Sequence, residues 1–530
     1  MKTLQRFTVR AFVCRGAVLL TALLGRGDYS TAEEIAPSFC HAPEEGIVSR
    51  AVMERPVALT AASGRLHQKV STTSKEAQAY YDQGFAYLAS YVWIEAARSF
   101  YEALRRDPQL AMAHLGLAKA YAGAEAPAEA YVHLQKAQEL AETRKVTPKE
   151  AKWIALAVQQ TEALNAPAEE RVAKHNAYKQ AVDELITLDP SDPHAWVLRG
   201  NAEEPGVWGR GQVGGVGSIA YYEAALQRDP NHFAAHHFLV HSYERIGHHA
   251  IAAEHGRKYA ATVKQVPHAS HMYAHVLPRV GKWQEALKQL TLADSLERNY
   301  YKAENISAGQ DWHHGHNLHL LGAVQLRLGN EAETERLFQE AFHLQDYGLR
   351  SGYYSGPWIE YLLARGRYEE ALSAAQEVEK RPSAASHLIG AALQGEALIA
   401  LGRIAEAQQA HARAKTAAET YVRDARNTPY ESFSFRFTDP FLKTLEGEIA
   451  LHGDNPAAGE EMLVKIADGF ATSPLLDAWA VGLLYLQRVT NHARQAGRVA
   501  LATALIERAR KIDPEFAEKM SASATIATAR

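Results

Sequence analysis

The sequence predicts an all-α protein built as a stacked array of helix-turn-helix units, an α-solenoid. Three observations carry that prediction. Apolar and small residues recur at spacings of three and four in one segment after another, the period of an amphipathic helix. Glycines punctuate these segments at a regular interval, Gly247 and Gly281 being 34 residues apart. No run of any length shows the alternation of a strand. Length fits the same picture, because 530 residues exceed what one ordinary core holds and call for several domains or one elongated array. Hydrophobic residues at 47% and charged residues at 22% make a globular balance and exclude a wholly disordered chain. Against 61 acidic residues stand 57 basic ones, a net charge of −4, so no basic excess exists to hold a nucleic acid backbone.

The first 32 residues read as a signal peptide. Lys2, Arg6 and Arg10 precede the apolar run GAVLLTALL, and Ser30 and Ala32 offer small residues for cleavage before Glu33. The run is too short for a bilayer, which needs about 20 apolar residues. The expected address is the periplasm or the cell exterior, with no integral membrane segment left after processing. Cleavage would remove Cys14 and leave Cys40 alone, so neither a disulfide scaffold nor a cysteine zinc module is available. Residues 33–70 carry Pro37, Pro43, Pro56 and Gly64 without a sustained period and read as irregular. Repeats are then expected over 71–145, over a central block 146–345 and over 346–470. Residues 471–530 are read as terminal capping helices.

The repeat signal is clearest in AQAYYDQGFAYLASYVWIEAARSFYEALRRDP. There Gly84 and Ala96 allow two antiparallel helices to approach, and Pro108 opens the next helix. Similar copies follow in HFLVHSYERIGHHAIAAEHGRKYA, HMYAHVLPRVGKWQEALKQLTLAD and HLLGAVQLRLGNEAETERLFQEAF, and later in YLLARGRYEEALSAA and GEALIALGRIAEAQQAHARA. With Tyr87, Phe100 and Ala103 in the pattern, the chain resembles the tetratricopeptide repeat family over most of residues 75–515. The resemblance implies a right-handed superhelix in which the first helix of each pair lines a concave groove. It also implies that the groove takes a peptide or protein partner. The stretch PHASHMYAHVLPRVG with DWHHGHN downstream resembles a His-rich subgroup of secreted bacterial repeat proteins, which implies architecture rather than a reaction.

Three connections break the register: 201–217, which is Gly-rich, 295–314 and 423–440. Long ordered loops often carry function. Within the first, Gly209, Gly211 and Gly214 spell G-x-G-x-x-G. A dinucleotide site needs a buried strand just before that motif, and a repeat helix stands there instead.

Histidine is the unusual residue. Of 25, fourteen fall between His232 and His319. Counted back from the turn glycines Gly247, Gly281 and Gly329, His237, His271 and His319 each lie ten residues before. His241 and His275 lie six before, and His268 and His316 thirteen before. His194 lies six before Gly200, as His316 does before Gly322. Spacings of three and four put these side chains on one helix face. Stacked helices lie about 8–10 Å apart. A pair such as His237 and His241, or His271 and His275, can therefore chelate one ion, with a third ligand from the next repeat. Imidazoles suit zinc, copper or iron, a divalent transition metal. Glu203, Glu204 and Asp311 sit in flanking loops as possible additional ligands or orienting groups, alongside His194. His133, His343, His411 and His452 read as packing or surface residues, and His248, His249 and His255 fall on turns or second helices.

Catalytic signatures are missing. HFAAH, HFLVH and HMYAH lack the Glu of a metalloprotease helix, and there is no G-x-S-x-G, Walker loop or calcium loop. The expected function is an exported binding or scaffold module whose His-lined groove holds a transition metal or a ligand. The rival readings are a metal-dependent enzyme, a hydrolase or oxidoreductase using the same histidines, and a pure scaffold with structural histidines.

Overall fold

The computed structural model describes residues 48–143, 146–204, 209–344, 352–426, 434–473 and 477–527. The expected leader, both cysteines, residues 205–208 of the Gly-rich connection and 427–433 of the third connection lie outside them. No strand occurs among the described residues, and no helix there is long and apolar enough to cross a membrane.

A short helix α1 (Arg50–Met53) leads into hairpins that follow one another along the chain. They are α2 (Lys75–Ala89) with α3 (Trp93–Arg106), α4 (Ala111–Gly123) with α5 (Pro127–Thr143), α6 (Pro148–Leu164) with α7 (Ala168–Leu188), and α8 (Pro193–Ala202) with α9 (Val216–Arg228). The central hairpins are α10 (Phe233–Arg245) with α11 (His249–Thr262), α12 (Pro267–Val276) with α13 (Trp283–Glu304), and α14 (Trp312–Leu328) with α15 (Glu331–His343). Then come α16 (Gly356–Ala364) with α17 (Tyr368–Glu379), α18 (Ala384–Ala400) with α19 (Ile404–Asp424), α20 (Ser434–Leu451) with α21 (Pro456–Thr472), α22 (Ala478–Gln495) with α23 (Val499–Ile512), and a last helix α24 (Pro514–Ala527).

The turn glycines do what the register asked of them. Gly247, Gly281 and Gly329 have φ of +81°, +73° and +87°, a left-handed conformation that ends the first helix of each pair and reverses the chain. The hairpins then stack because no single one can bury its apolar face. Two apolar cores result. One runs from Val48 to Ile306, the other from Tyr273 to Met520, and they meet at α12–α14. The histidine-rich helices therefore occupy a seam between two cores.

The array also closes on that seam. From the N-terminal side, the Tyr300 hydroxyl donates to Glu95 at 2.8 Å and Arg98 pairs with Glu304 at 2.8 Å, which fixes α3 against α13. From the C-terminal side, Trp283 and Trp479 pack edge to face at 5.6 Å, and Arg279 donates to the Ser473 carbonyl at 3.0 Å. Arg327 of α14 pairs with Asp513, just before α24, and with Glu515 in its first turn. The expected groove is thus covered at the histidines: His237, His268, His271, His275 and His319 are 0–5% exposed.

Candidate metal centre

Two histidine triads occupy the seam. In the first, the His237 Nδ1–H donates to the Ala89 carbonyl at 2.8 Å, so its Nε2 lone pair points away from that bond. His241 Nε2 lies 3.3 Å and His268 Nε2 3.1 Å from that atom. Burial lowers the His237 pKa to about 3 and pushes His241 and His268 well below the usual imidazole range. All three are therefore neutral at pH 7, the protonation state of a metal ligand. Tyr91, from the α2–α3 turn, lays its ring against all three imidazoles at 4.7–6.4 Å.

The second triad is His271, His275 and His316, with ligand atoms within 4.8 Å of one another. His271 Nδ1–H donates to Asn317 Oδ1 at 3.1 Å, and Asn317 is oriented by donating to the Leu290 carbonyl at 3.2 Å. His271 Nε2 is consequently the free nitrogen, and it is buried without a partner. His275 sits between two carboxylates, Glu244 at 3.0 Å and Asp477 at 2.9 Å. Burial opposes its charge, yet these carboxylates raise its pKa to about 10. His316 also donates to Asp477, at 3.0 Å. Burial alone would raise Asp477, but His316 and His275 hold it well below the usual carboxylate range.

The two triads are the same construction shifted by one repeat. Each uses the positions ten and six residues before a turn glycine, plus the position thirteen before the next one. His237, His241 and His268 become His271, His275 and His316. The rings of His268 and His271 stack at 5.9 Å, so the two groups adjoin. Between them stands His313, 4.8 Å from His268 and 4.3 Å from His271 by ring centroids. Its Nδ1–H donates to Glu297, whose other oxygen accepts from His314 at 2.7 Å. Burial disfavours the Glu297 charge, but His313 and His314 lower its pKa to about 2. His313 Nε2 is buried and unpartnered. A carboxylate that fixes an imidazole tautomer in this way is the usual outer shell of a metal ligand.

A cavity of about 560 Å³ adjoins the first triad. His268 and His313 reach its wall, and aromatic residues (Tyr91, Trp93, Tyr300, Trp312) form much of the rest. Gly211 and Gly214 of the Gly-rich connection lie against Phe238 and Ser242 of α10. Gly211 has φ +90°, and a Cβ there would meet Phe238 at 2.3 Å, so the loop depends on glycine to lie this close.

Other expected residues lie elsewhere. His319 is buried on α14, but both its ring nitrogens lack partners and it joins neither triad. His194 accepts from His232 at 2.9 Å and donates to the His67 carbonyl at 3.0 Å, a structural chain between α8, α10 and the N-terminal segment. Glu203 pairs with Lys179 at 3.1 Å and with Arg199. Glu204 accepts from the Arg210 and Val213 backbone N–H groups at 2.8 and 2.6 Å and so shapes the loop; burial raises its pKa to about 7. Asp311 caps α14 through the His313 N–H at 3.0 Å and accepts from the Tyr301 hydroxyl at 2.9 Å. These four support the scaffold and the cavity wall rather than the triads. His313, Glu244, Glu297, Asn317 and Asp477 belong to the site without having been expected there.

No family model matches the sequence, and no curated protein matches it. Solved structures do. A tetratricopeptide repeat protein from Parabacteroides merdae is 12% identical, with 54% of this chain and 98% of that one covered and a TM-score of 0.35. Yeast Tom70 is 11% identical over 85% of this chain and 93% of its own, at a TM-score of 0.37. The human IFIT1 dimer, solved with m7Gppp-AAAA, is 12% identical over 86% and 91%, at 0.34. The chain is a tetratricopeptide-like array of helical hairpins, a statement that rests on the hairpins and turn glycines described above.

Proposed function

We propose that this chain is a metal-binding repeat protein whose two register-related triads each hold a divalent transition ion. The spacing of the first triad carries the reading. Metal–imidazole bonds of about 2.0–2.1 Å in a tetrahedral site place ligand nitrogens about 3.3–3.4 Å apart. The Nε2 separations of 3.1 and 3.3 Å already match that edge. Energetics point the same way. At the second triad, His271 Nε2 and His316 Nδ1 are buried without partners. At about 1–3 kcal/mol for each unsatisfied group, a purely structural role leaves that cost standing, whereas a bound ion removes it. Asp477 supplies an oxygen beside the second triad, which makes it a set of three imidazoles and one carboxylate. The first triad has imidazoles alone, with a cavity beside it. Neutral imidazoles select zinc, copper or iron.

Export remains part of the proposal, supported by the order of basic and apolar residues in 1–32. A peptide or protein partner would have to seat away from the histidine row, whose side chains are buried.

The test is elemental analysis of tag-free protein. At least two equivalents of metal per chain are expected, with His237→Ala and His271→Ala each losing one while the helical circular dichroism stays unchanged. Metal-free protein after refilling with zinc, copper and iron would refute the reading. A metal-dependent enzyme is the second reading, favoured by the cavity at His268 and His313. It predicts that azide shifts the visible spectrum of cobalt-loaded protein by entering an exchangeable position; an unmoved spectrum would mark both sites as closed.

A further inference from the structure

We infer that the C-terminal half holds a second kind of metal site, carboxylate-rich, formed by Glu396 of α18, Glu448 of α20 and His492 of α22. One ligand atom from each lies within 4.8 Å of the others. They are 0%, 1% and 8% exposed, inside the apolar core that contains Leu445, Leu483 and Tyr485.

Register places Glu396, with its neighbour Glu360, on the same inner row as the imidazoles. Glu360 and Glu396 each lie six residues before a turn glycine, Gly366 and Gly402, as His241 and His275 do before theirs. The row thus changes chemistry along the array, from imidazole to carboxylate. The helix α22 touches both ends of it. Asp477, at its N-cap, bonds the second triad, and His492 lies 15 residues further on. At 1.5 Å per residue that separation is about 22 Å, so the two centres are distinct.

Charge is the main argument. Arg488 pairs with Glu360 at 3.3 Å and Glu396 at 2.9 Å, and His492 Nδ1 lies 2.8 Å from Glu448 Oε1. Three carboxylates against one guanidinium leave a formal charge of −2 in apolar surroundings. Burying net charge is among the costliest arrangements a core can hold. Either protons or a divalent cation must balance it. Burial, together with Glu448 and Glu360, already pushes the Glu396 carboxyl well above its usual range, and Arg488 is the one group that lowers it. Ligand atoms are also to hand. Glu396 Oε1, Glu448 Oε2 and His492 Nε2 are buried without a hydrogen-bond partner. Two carboxylates and one imidazole suit manganese, iron or zinc, with Mn²⁺ the ion that best separates this site from the imidazole triads.

The experiment titrates Mn²⁺ into full-length protein carrying His237→Ala and His271→Ala, read by electron paramagnetic resonance and elemental analysis. One Mn²⁺ per chain is expected, and adding Glu396→Gln or His492→Gln should weaken it at least tenfold. Glu396→Gln keeps the side chain's shape and removes a buried charge, so the fold should persist. Should the triad-blocked chain not fold, wild-type and Glu396→Gln protein are compared after loading with zinc and then manganese, and the variant should hold one ion fewer. Failure of the triad-blocked chain to take up Mn²⁺, or uptake that Glu396→Gln leaves unchanged, overturns the inference. Wild-type protein that binds Mn²⁺ here but takes up no metal at His237 or His271 would instead count against the triads alone.

Discussion

His319 separates the register from the site, and replacing it with leucine tests both. Its ring is 1% exposed, neither nitrogen has a partner, and the nearest aromatic rings, Tyr353 and Tyr354, lie 6.3 Å away. Burial lowers its pKa from 6.5 to about 4. Such a group is neutral when folded and protonates first in the unfolded chain. Its contribution is intact above pH 6.5 and is lost as the pH falls towards 4. At pH 5, 1.5 units below 6.5, the loss is about 2 kcal/mol at 1.36 kcal/mol per unit. Leucine has similar volume, no proton to take and no unsatisfied nitrogen. Urea unfolding of metal-stripped wild-type and His319→Leu protein at pH 7.5 and pH 5 gives the two differences in stability. The variant's advantage should grow by about 2 kcal/mol on acidification. His275 and His314, whose raised pKa values act with the opposite sign, are common to both proteins and cancel. The metal content of the variant should match that of wild type. A stability difference that is the same at both pH values, or the loss of a metal, would refute the reasoning.

Two further predictions concern pH and packing. Metal uptake at the second triad must displace the proton of His275, whose pKa is raised to about 10, so its affinity should rise about tenfold per unit from pH 7 to 9. The first triad is already neutral and should be flat over that range; site-resolved titrations of the His271→Ala and His237→Ala proteins check both. Gly322→Ala should destabilise by about 1–3 kcal/mol in thermal or urea unfolding, because its Cβ would sit 2.3 Å from the buried Phe338 ring, an overlap larger than the helix-propensity gain.

The helices, their pairing and the stacking of imidazoles were legible in sequence because each follows a short period. The triads use residues counted from turn glycines, and Gly247, Gly281 and Gly329 adopt the conformation that such counting assumes. What periodicity does not encode is how far the array coils. Asp477 lies 161 residues from His316 in sequence, yet donor and acceptor are 3.0 Å apart. Ala89 lies 148 residues from His237. These partners arrive because the first hairpins and α22 close over α12–α14, which also buries a row that a local reading leaves open to a groove. Glu297 was hidden for another reason: it sits on the second helix of its pair, which the groove argument sets aside. His313 is the third residue of the motif DWHHGHN, and the signal for it was the capping Asp311 two residues before.

The register explains why the triads stop at two, and the explanation can be tested by adding a third. Position ten before Gly329 is already His319. The position six before is Ala323, and thirteen before the next turn glycine, Gly366, is Tyr353. The His319 and Tyr353 rings are 6.3 Å apart, against 4.9 Å for His237 and His268 and 4.6 Å for His271 and His316. Ala323→His together with Tyr353→His should therefore complete a third triad on His319. The exchange of Ala323, fully buried, adds volume to a filled core and should cost about 1–3 kcal/mol before metal is added. Metal binding should return that loss, since an ion held 100-fold above its Kd stabilises by about 2.7 kcal/mol. Cobalt titration should reach one equivalent more than wild type, with a rise in melting temperature that the single replacements do not show. A folded double variant with wild-type stoichiometry would mean that register alone does not build these sites, and that the closure by α22 and the α2–α3 turn is required for each of them.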